Sequence, residues 1–591
     1  MGVNPRLVLS TLSLLISSTL TVNAAPALRL VNTTVGPVSI ATGQNGAVQT
    51  VEAYNGGDGS LNLTATTNAT WLVAAVGTPA TCSTRGGTCI PIRLTPQTST
   101  LAKGSYTATV TVADSNAMDA PQTVTVTVGV GGGVPSPITL YAPPGGQGAQ
   151  TISSNGKLAF TISTSNGASW LSVPLEAGGS FRFVYNYQVS GNATNLAAGT
   201  YNGQFVSSGS SVAEENKTVP VTFQVTTQPI VAASDASWSF RVAQGSFSDA
   251  KAVGVTKRLT VKNLGKGTLT ISSAAVAGSG DTSWLKATLI PDDPIYQAFY
   301  GGQLVDLAAK PGSLAPGHYT AEVRIASNAV NSATLAVPVD MEVVASTTAP
   351  ALTYNRAVNN ATFESGDPVS PGDIVALFGE HHIASDPLGN TSLPLPTDLG
   401  GTKVYVNGGL VPLYYASNNQ INFQLPYEAT AGSNVVEVER QGVRSNKITM
   451  QVVDRAPRLL RLGLGEYGII QNAADYSLVG PSNIPGLAAK PVKAGDAITI
   501  YMIGGGQTSP PATTGAAVTG DLRNLPATTV SFGSPFGGVT VSAIYSGLTP
   551  NFVGLYQVNA IIPADAPTGM NVPLYVTIGG EVSNRVEIAI Q

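Results

Sequence analysis

The segment Gln420-Ile421-Asn422-Phe423-Gln424-Leu425-Pro426 returns further along the chain as Gln557-Val558-Asn559-Ala560-Ile561-Ile562-Pro563. Each copy is preceded by a Gly-Asp that opens an apolar stretch, Gly372-Asp373-Ile374-Val375 and Gly495-Asp496-Ala497-Ile498. Each is followed by a Ser-Asn ahead of another, Ser445-Asn446-Lys447-Ile448 and Ser583-Asn584-Arg585-Val586. Three landmarks in one order mark a duplication, which restricts the fold more than any single motif because one architecture must be built twice. As extended strands, Ile421, Phe423 and Leu425 share one face and Tyr556, Val558, Ala560 and Ile562 another, while Gln420, Asn422, Gln424, Gln557 and Asn559 point the opposite way. The apolar faces are expected in the core. The amides, which both donate and accept, suit tying down an adjacent irregular backbone. A ligand site is the alternative, and two equivalent copies favour the structural role.

A second repeat occupies the earlier part of the chain. Thr70-Trp71-Leu72, Ser169-Trp170-Leu171 and Ser283-Trp284-Leu285 each precede a Leu-Ala-x-Gly-x-Tyr motif ending at Tyr106, Tyr201 and Tyr319. The strands that follow alternate with period two: Tyr319, Ala321, Val323 and Ile325 against Thr320, Glu322 and Arg324. Each unit closes on another such strand, and Pro220 and Pro338 in two of these suggest edge positions. Trp71, Trp170 and Trp284 could stack on sugar rings. Their recurrence beside Leu favours core packing between two sheets, each near the Tyr of its own unit. Gly131-Gly132-Gly133, Thr226-Thr227-Gln228-Pro229 and Ser346-Thr347-Thr348-Ala349-Pro350 read as linkers.

The three Trp-and-Tyr units resemble the BACON family of immunoglobulin-like modules, which carry a Ser-Trp-Leu-type motif and a later Leu-Ala-x-Gly-x-Tyr strand. The resemblance implies a β-sandwich, and the family's name records a suggested carbohydrate-binding role. The first unit departs by a cysteine hairpin after its Trp; the third has an extra Trp238 and an insertion near Asp292-Asp293-Pro294. Residues 351–591 resemble the Solibacter-type C-terminal domain of uncharacterised secreted bacterial proteins. That resemblance is carried by Asn360-Ala361-Thr362-Phe363, Pro371-Gly372-Asp373-Ile374-Val375, Gln420-Ile421-Asn422-Phe423-Gln424 and Phe552-Val553-Gly554-Leu555-Tyr556-Gln557-Val558-Asn559. Its two halves look, more distantly, like immunoglobulin-like modules of the IPT type. No activity is implied.

The N-terminus, Arg6 followed by an apolar run to Leu20 and then Val22-Asn23-Ala24, reads as a cleaved signal peptide. No later stretch is apolar and long enough to span a membrane as a helix. Charged residues are only 10% of the chain and the net charge is −4, leaving no electrostatic footprint for nucleic acid. The two cysteines, Cys82 and Cys89, are expected to pair across a hairpin turn in an exported protein, for roughly 2.5 kcal/mol of chain-entropy stabilisation.

Catalytic chemistry has little to draw on. Of three histidines, His318 falls in a turn, and Glu380-His381-His382 with Asp386 reads as a solvated loop rather than a metal cluster. Gly504-Gly505-Gly506 lacks the Lys of a phosphate loop and reads as a turn. Asp114-Ser115-Asn116 with Asp119 lacks full calcium-loop spacing and reads as a hairpin tip.

The chain is therefore expected to be an all-β array of tandem immunoglobulin-like β-sandwich modules: a signal peptide over 1–24, BACON-like modules over 25–133, 134–228 and 229–348, and two Solibacter-type halves over 349–456 and 457–591. The expected role is non-enzymatic: an exported or cell-surface binding or scaffold protein, with polysaccharide or another extracellular protein as partner and no catalytic residue, metal or cofactor. The alternatives are an accessory module of a secreted enzyme system and a cryptic hydrolase.

Overall fold

The structure, a computed structural model, describes residues 25–591 except 166–168, 177–184, 250, 293–299, 347, 384, 391, 464, 483–486 and 520–523. The segment read as a signal peptide, residues 1–24, and the insertion residues Asp293 and Pro294 lie outside the described residues. The architecture is all-β. Ten sheets form among the described residues, and buried apolar side chains gather in five separate clusters, each between two sheets. This is a tandem array of immunoglobulin-like sandwiches. No described helix is long and apolar enough to cross a membrane.

Period-two sequence becomes half-buried strand where expected. In the strand Gly317–Ser327, Ala321, Val323 and Ile325 are buried while Thr320 and Arg324 are exposed. The strand Gly104–Ala113 buries Ala108, Val110 and Val112 in the same way.

The two kinds of repeat differ in topology. In the first three sandwiches an early strand runs parallel to the last: Thr34–Ile40 with Gln122–Val130, Ile138–Ala142 with Thr218–Val225, and Trp238–Ala243 with Thr334–Val344. In the last two, the corresponding contacts shrink to isolated parallel bridges such as Val369 with Val452 and Val492 with Ile590. Pro220 and Pro338 do not lie on edge strands, as their strands are paired on both sides. The parallel registers begin at Val221 and Val339, one residue after each proline, so the missing N–H falls just outside the ladder.

The recurrent motifs prove to be backbone fasteners. Tyr106, Tyr201 and Tyr319 each donate the phenol hydroxyl to the carbonyl of the motif's own alanine (Ala102, Ala197 and Ala315) at 2.9, 2.9 and 2.8 Å. This is the tyrosine corner of immunoglobulin-like sandwiches. The Ser-Asn pair is equally literal. Asn446 accepts the Leu352 N–H at 2.6 Å and donates to the Leu352 carbonyl at 3.0 Å, and Asn584 does the same to Leu459 at 2.6 and 3.2 Å. Ser445 and Ser583 accept the N–H of Val438 and Val576. A primary amide thus stands in for a neighbouring strand, holding the first strand of each half to its last.

Asn446→Ala and Asn584→Ala are each expected to cost about 2 kcal/mol, from two hydrogen bonds of about 1 kcal/mol apiece. Asn422→Ala and Asn559→Ala should stay within about 0.5 kcal/mol. Urea midpoints of the variants decide between equal and unequal effects.

Candidate functional site

Cys82 and Cys89 are joined, with Cα atoms 4.9 Å apart, closing the turn between the strands Ala80–Thr81 and Thr88–Pro96. Arg85 at the tip stacks 3.5 Å over the Tyr54 ring, so the turn is held down on its own module.

The tryptophans divide. Trp170 and Trp284 are 4% and 2% exposed, and Trp170 stacks on Phe223 at 5.3 Å. Tyr201 and Tyr319 pack against the same two cores. Trp71 departs from the expectation of burial: it is half-buried, edge-on to Tyr106 at 6.5 Å. The residue paired with the motif Tyr is Phe223 in the second module and Met341 in the third, but Val128 in the first. The shorter Val side chain leaves part of the indole uncovered.

The amide faces turn away from the cores as their period requires, with Gln420, Asn422, Gln557 and Asn559 all partly exposed. They do not fasten backbone. Gln420 donates to Asn422 at 2.8 Å and Gln557 to Asn559 at 3.4 Å, forming short ladders. Fastening falls to the third amide, Gln424, which is fully buried and accepts the Gly515 N–H of the last sandwich at 2.6 Å. Around it Tyr427 accepts from Gln507 through its carbonyl and donates its N–H to Thr514 at 3.0 Å, and its ring enters the last sandwich's core. Gly504 and Gly506, at φ +77° and +75°, lie where a Cβ would strike the Ala456 and Asp454 carbonyls at 2.0 and 2.3 Å. The glycine run is therefore a packing device at this junction.

Asp373, of the repeated Gly-Asp, is fully buried beside it. Its carboxyl accepts from Asn359 and the Ile374 N–H, both at 2.9 Å, yet burial pushes its pKa up to about 7 against those donors. Burial of Tyr427, aided by Asp373, raises that phenol to about 12. The sister residue Asp496 is only half-buried.

The largest correction concerns His381 and His382. Both are fully buried rather than solvated. His381 takes φ +61°, which breaks the extended path on which neighbouring side chains diverge, and both rings tuck under the sandwich. Arg440 donates to the His381 carbonyl at 3.0 Å and Thr402 to the His382 carbonyl at 2.7 Å. All four ring nitrogens lack a hydrogen-bond partner. Burial, reinforced by Arg241 and Arg440 for His381 and by His381 and Arg440 for His382, depresses both pKa values to about 3. Among the described residues no three His, Cys, Asp or Glu side chains converge as a metal would require. His318 is exposed as a turn residue would be, but it lies in the strand Gly317–Ser327, opposite Glu342 and 3.5 Å from Asp340, and not in a turn.

Asp386, the other member of that segment, reaches across to the third sandwich. It accepts the Val253 N–H at 2.8 Å and the Gly254 N–H at 3.2 Å. Together with the Arg241–Glu380 ion pair at 2.9 Å, it sets the walls of a cleft of about 230 Å³. Phe247, Gly254, Val255 and Thr256 line one side; Ser385, Pro387, Tyr415 and Ser417 through Gln420 line the other. Gln420, one end of the first amide ladder, therefore opens on a concave surface. Sequence alone could not place it there, because the opposing wall belongs to another module.

No family model and no curated protein matches the chain. Solved structures that match include a three-domain I-band fragment of titin, at 10% identity over 54% of this chain and 99% of its own, with a TM-score of 0.14. The extracellular domain of protocadherin gamma B4 matches at 11% identity over 95% and 84%, with a TM-score of 0.16. A Porphyromonas gingivalis protein of unknown function matches at 13% over 35% and 96%, with a TM-score of 0.14.

Proposed function

We propose that the chain is an exported, non-enzymatic scaffold that holds binding surfaces in fixed relative positions outside the cell, with polysaccharide or another extracellular protein as partner. Its modules are 25–133, 134–228 and 229–348, of BACON type, and 349–456 and 457–591, the Solibacter-type halves. The observation that carries this reading is the clamp between the first and fourth modules. Asp119 is fully buried; its N–H donates to the Lys447 carbonyl at 2.7 Å, and its carboxylate accepts the Thr449 N–H at 2.6 Å and the Thr449 hydroxyl. Arg29 neutralises it and lies 4.9 Å over the Tyr354 ring. Such a contact ties residues 330 positions apart and folds the array back on itself.

The apparent Gly linker supports the same reading. The Gly133 N–H donates to the buried Glu215 carboxylate at 2.8 Å, and a Cβ on Gly133 would sit 2.2 Å from the Ser153 carbonyl. Asn155 grips both backbone groups of Ser39 across that junction. Glycine is there for close approach, so flexibility is not its purpose.

Small-angle scattering from the mature chain tests the reading. A single compact distance distribution is expected, expanding in Asp119→Gly, which tolerates the positive φ while deleting the carboxylate. Wild-type scattering typical of a freely jointed string would overturn it.

A further inference from the structure

The cleft between the third and fourth modules holds an unusual set of free polar groups. Asn418 is 4% exposed, lines the cleft, and its Oδ1 has no hydrogen-bond partner. Leaving a buried acceptor unpaired costs roughly 1–3 kcal/mol, so such a group calls for an explanation. Asn419 spends its Oδ1 on the Ser417 hydroxyl at 3.0 Å and leaves its amide N–H groups toward other partners. Gln420 spends its Nε2 on Asn422, leaving its carbonyl oxygen as an acceptor. Thr256 faces them from the third module, and Tyr415 and Pro387 complete the lining.

Among the described residues, none that lines the cleft is charged. The carboxylate of Asp386, which sits in sequence between the lining residues Ser385 and Pro387, is engaged by the Val253 and Gly254 N–H groups. A phosphate or carboxylate ligand would meet no cation in that lining, and a cation no free anion. Mixed donors and acceptors without charge, in a lining that is mostly polar, match vicinal hydroxyls, each of which both donates and accepts. At about 230 Å³ the cleft lies below the usual range of roughly 300–1,000 Å³ for sites that enclose drug-sized ligands. One ring fits that size better than an oligosaccharide does.

The geometry points to this cleft as a binding site for a single neutral sugar ring, held by Asn418, Asn419 and Gln420 from one module and Thr256 from the other. This inference rests on the scaffold reading and gives it a ligand class. It also moves sugar recognition away from the tryptophans, two of which are sealed in their cores. Because the walls come from two modules, the site exists only while the Asp386 and Arg241–Glu380 contacts hold them together.

Saturation-transfer NMR on the mature chain with the methyl glycosides of glucose, galactose, mannose and N-acetylglucosamine tests it. At least one glycoside is expected to bind, and to bind about tenfold more weakly in both Asn419→Ala and Thr256→Val. Both positions are partly or fully exposed, so the variants should fold, and their melting curves verify that. Binding that survives both substitutions, or no binding by any of the four glycosides, overturns the inference. Binding lost only in Trp71→Ala overturns it too and returns sugar recognition to the half-buried indole. Scattering judges the scaffold reading separately, since a compact array without glycoside binding leaves that reading intact.

Discussion

Acidification from pH 6.5 to about pH 4 should cost the fourth module a net of about 1.4 kcal/mol per pH unit. His381 and His382 fall from 6.5 to about 3 on folding, so the unfolded chain binds protons there that the folded one refuses. Their neutral forms favour the fold above pH 6.5, and that advantage drains away as the pH drops, at about 1.4 kcal/mol per unit for each. Asp373 works in the opposite direction. Raised from 3.8 to about 7, it holds a proton in the folded state that the unfolded state has lost, so its contribution grows as the pH falls through the same window. Two losses against one gain leave one histidine's worth.

The charged groups around the pair are Arg241 and Arg440, which oppose protonation, and Glu380, 4.0 Å from His381. Thermal melting of the chain should show the transition of this module moving down by about 6 °C per unit. In His382→Leu the remaining histidine and Asp373 should cancel, giving a flat profile. Equal stability of the wild type at pH 4.5 and 6.5 would show that the buried imidazoles accept protons as readily as exposed ones.

Trp170→Ala and Trp284→Ala are each expected to cost about 3–5 kcal/mol, and Trp71→Ala clearly less. The first two indoles fill space between sheets. Trp170 lies between Phe223 and Gly203, where a Cβ would come within 3.0 Å of its ring. Both carry a buried Nε1–H without a partner, so Trp→Phe should recover much of the loss by deleting an unsatisfied donor along with part of the ring. Denaturant midpoints compare the variants, and iodide should quench Trp71 ahead of the others. Equal losses at all three positions would contradict the half-buried placement of Trp71.

Strands and repeats were legible because their signals are local. Period-two alternation states which of Ala321 and Glu322 faces inward, and duplicated landmarks state that a unit recurs. The tyrosine corner was visible as a recurrence but not as a bond. Its acceptor, four residues upstream, is a backbone carbonyl that any residue supplies. The burial of His381 and His382 was not legible, since one left-handed residue reverses the side on which the next side chain lies, and His carries no composition signal for that conformation. The amide face was read correctly as non-core, but the three amides of the first copy were not equivalent. Gln424 meets a neighbouring module, whereas Gln420 opens on a cleft and bonds to Asn422, and that difference resides in residues far along the chain. Asp119 read as part of a hairpin tip for the same reason.

The parallel pairing of an early strand with the last one in each of the first three modules has a mechanical consequence. Two strands that run the same way bring the chain in at one end of the sandwich and let it out at the other. Tension along the chain then slides the two strands past each other, so their hydrogen bonds are strained together and must fail together. Where the last strand has only isolated parallel bridges, as to Val369 and Val492, the same pull meets them singly. Under load the N-terminal three modules should be the slow ones to open, because forced unfolding follows the height of the barrier and not the equilibrium stability.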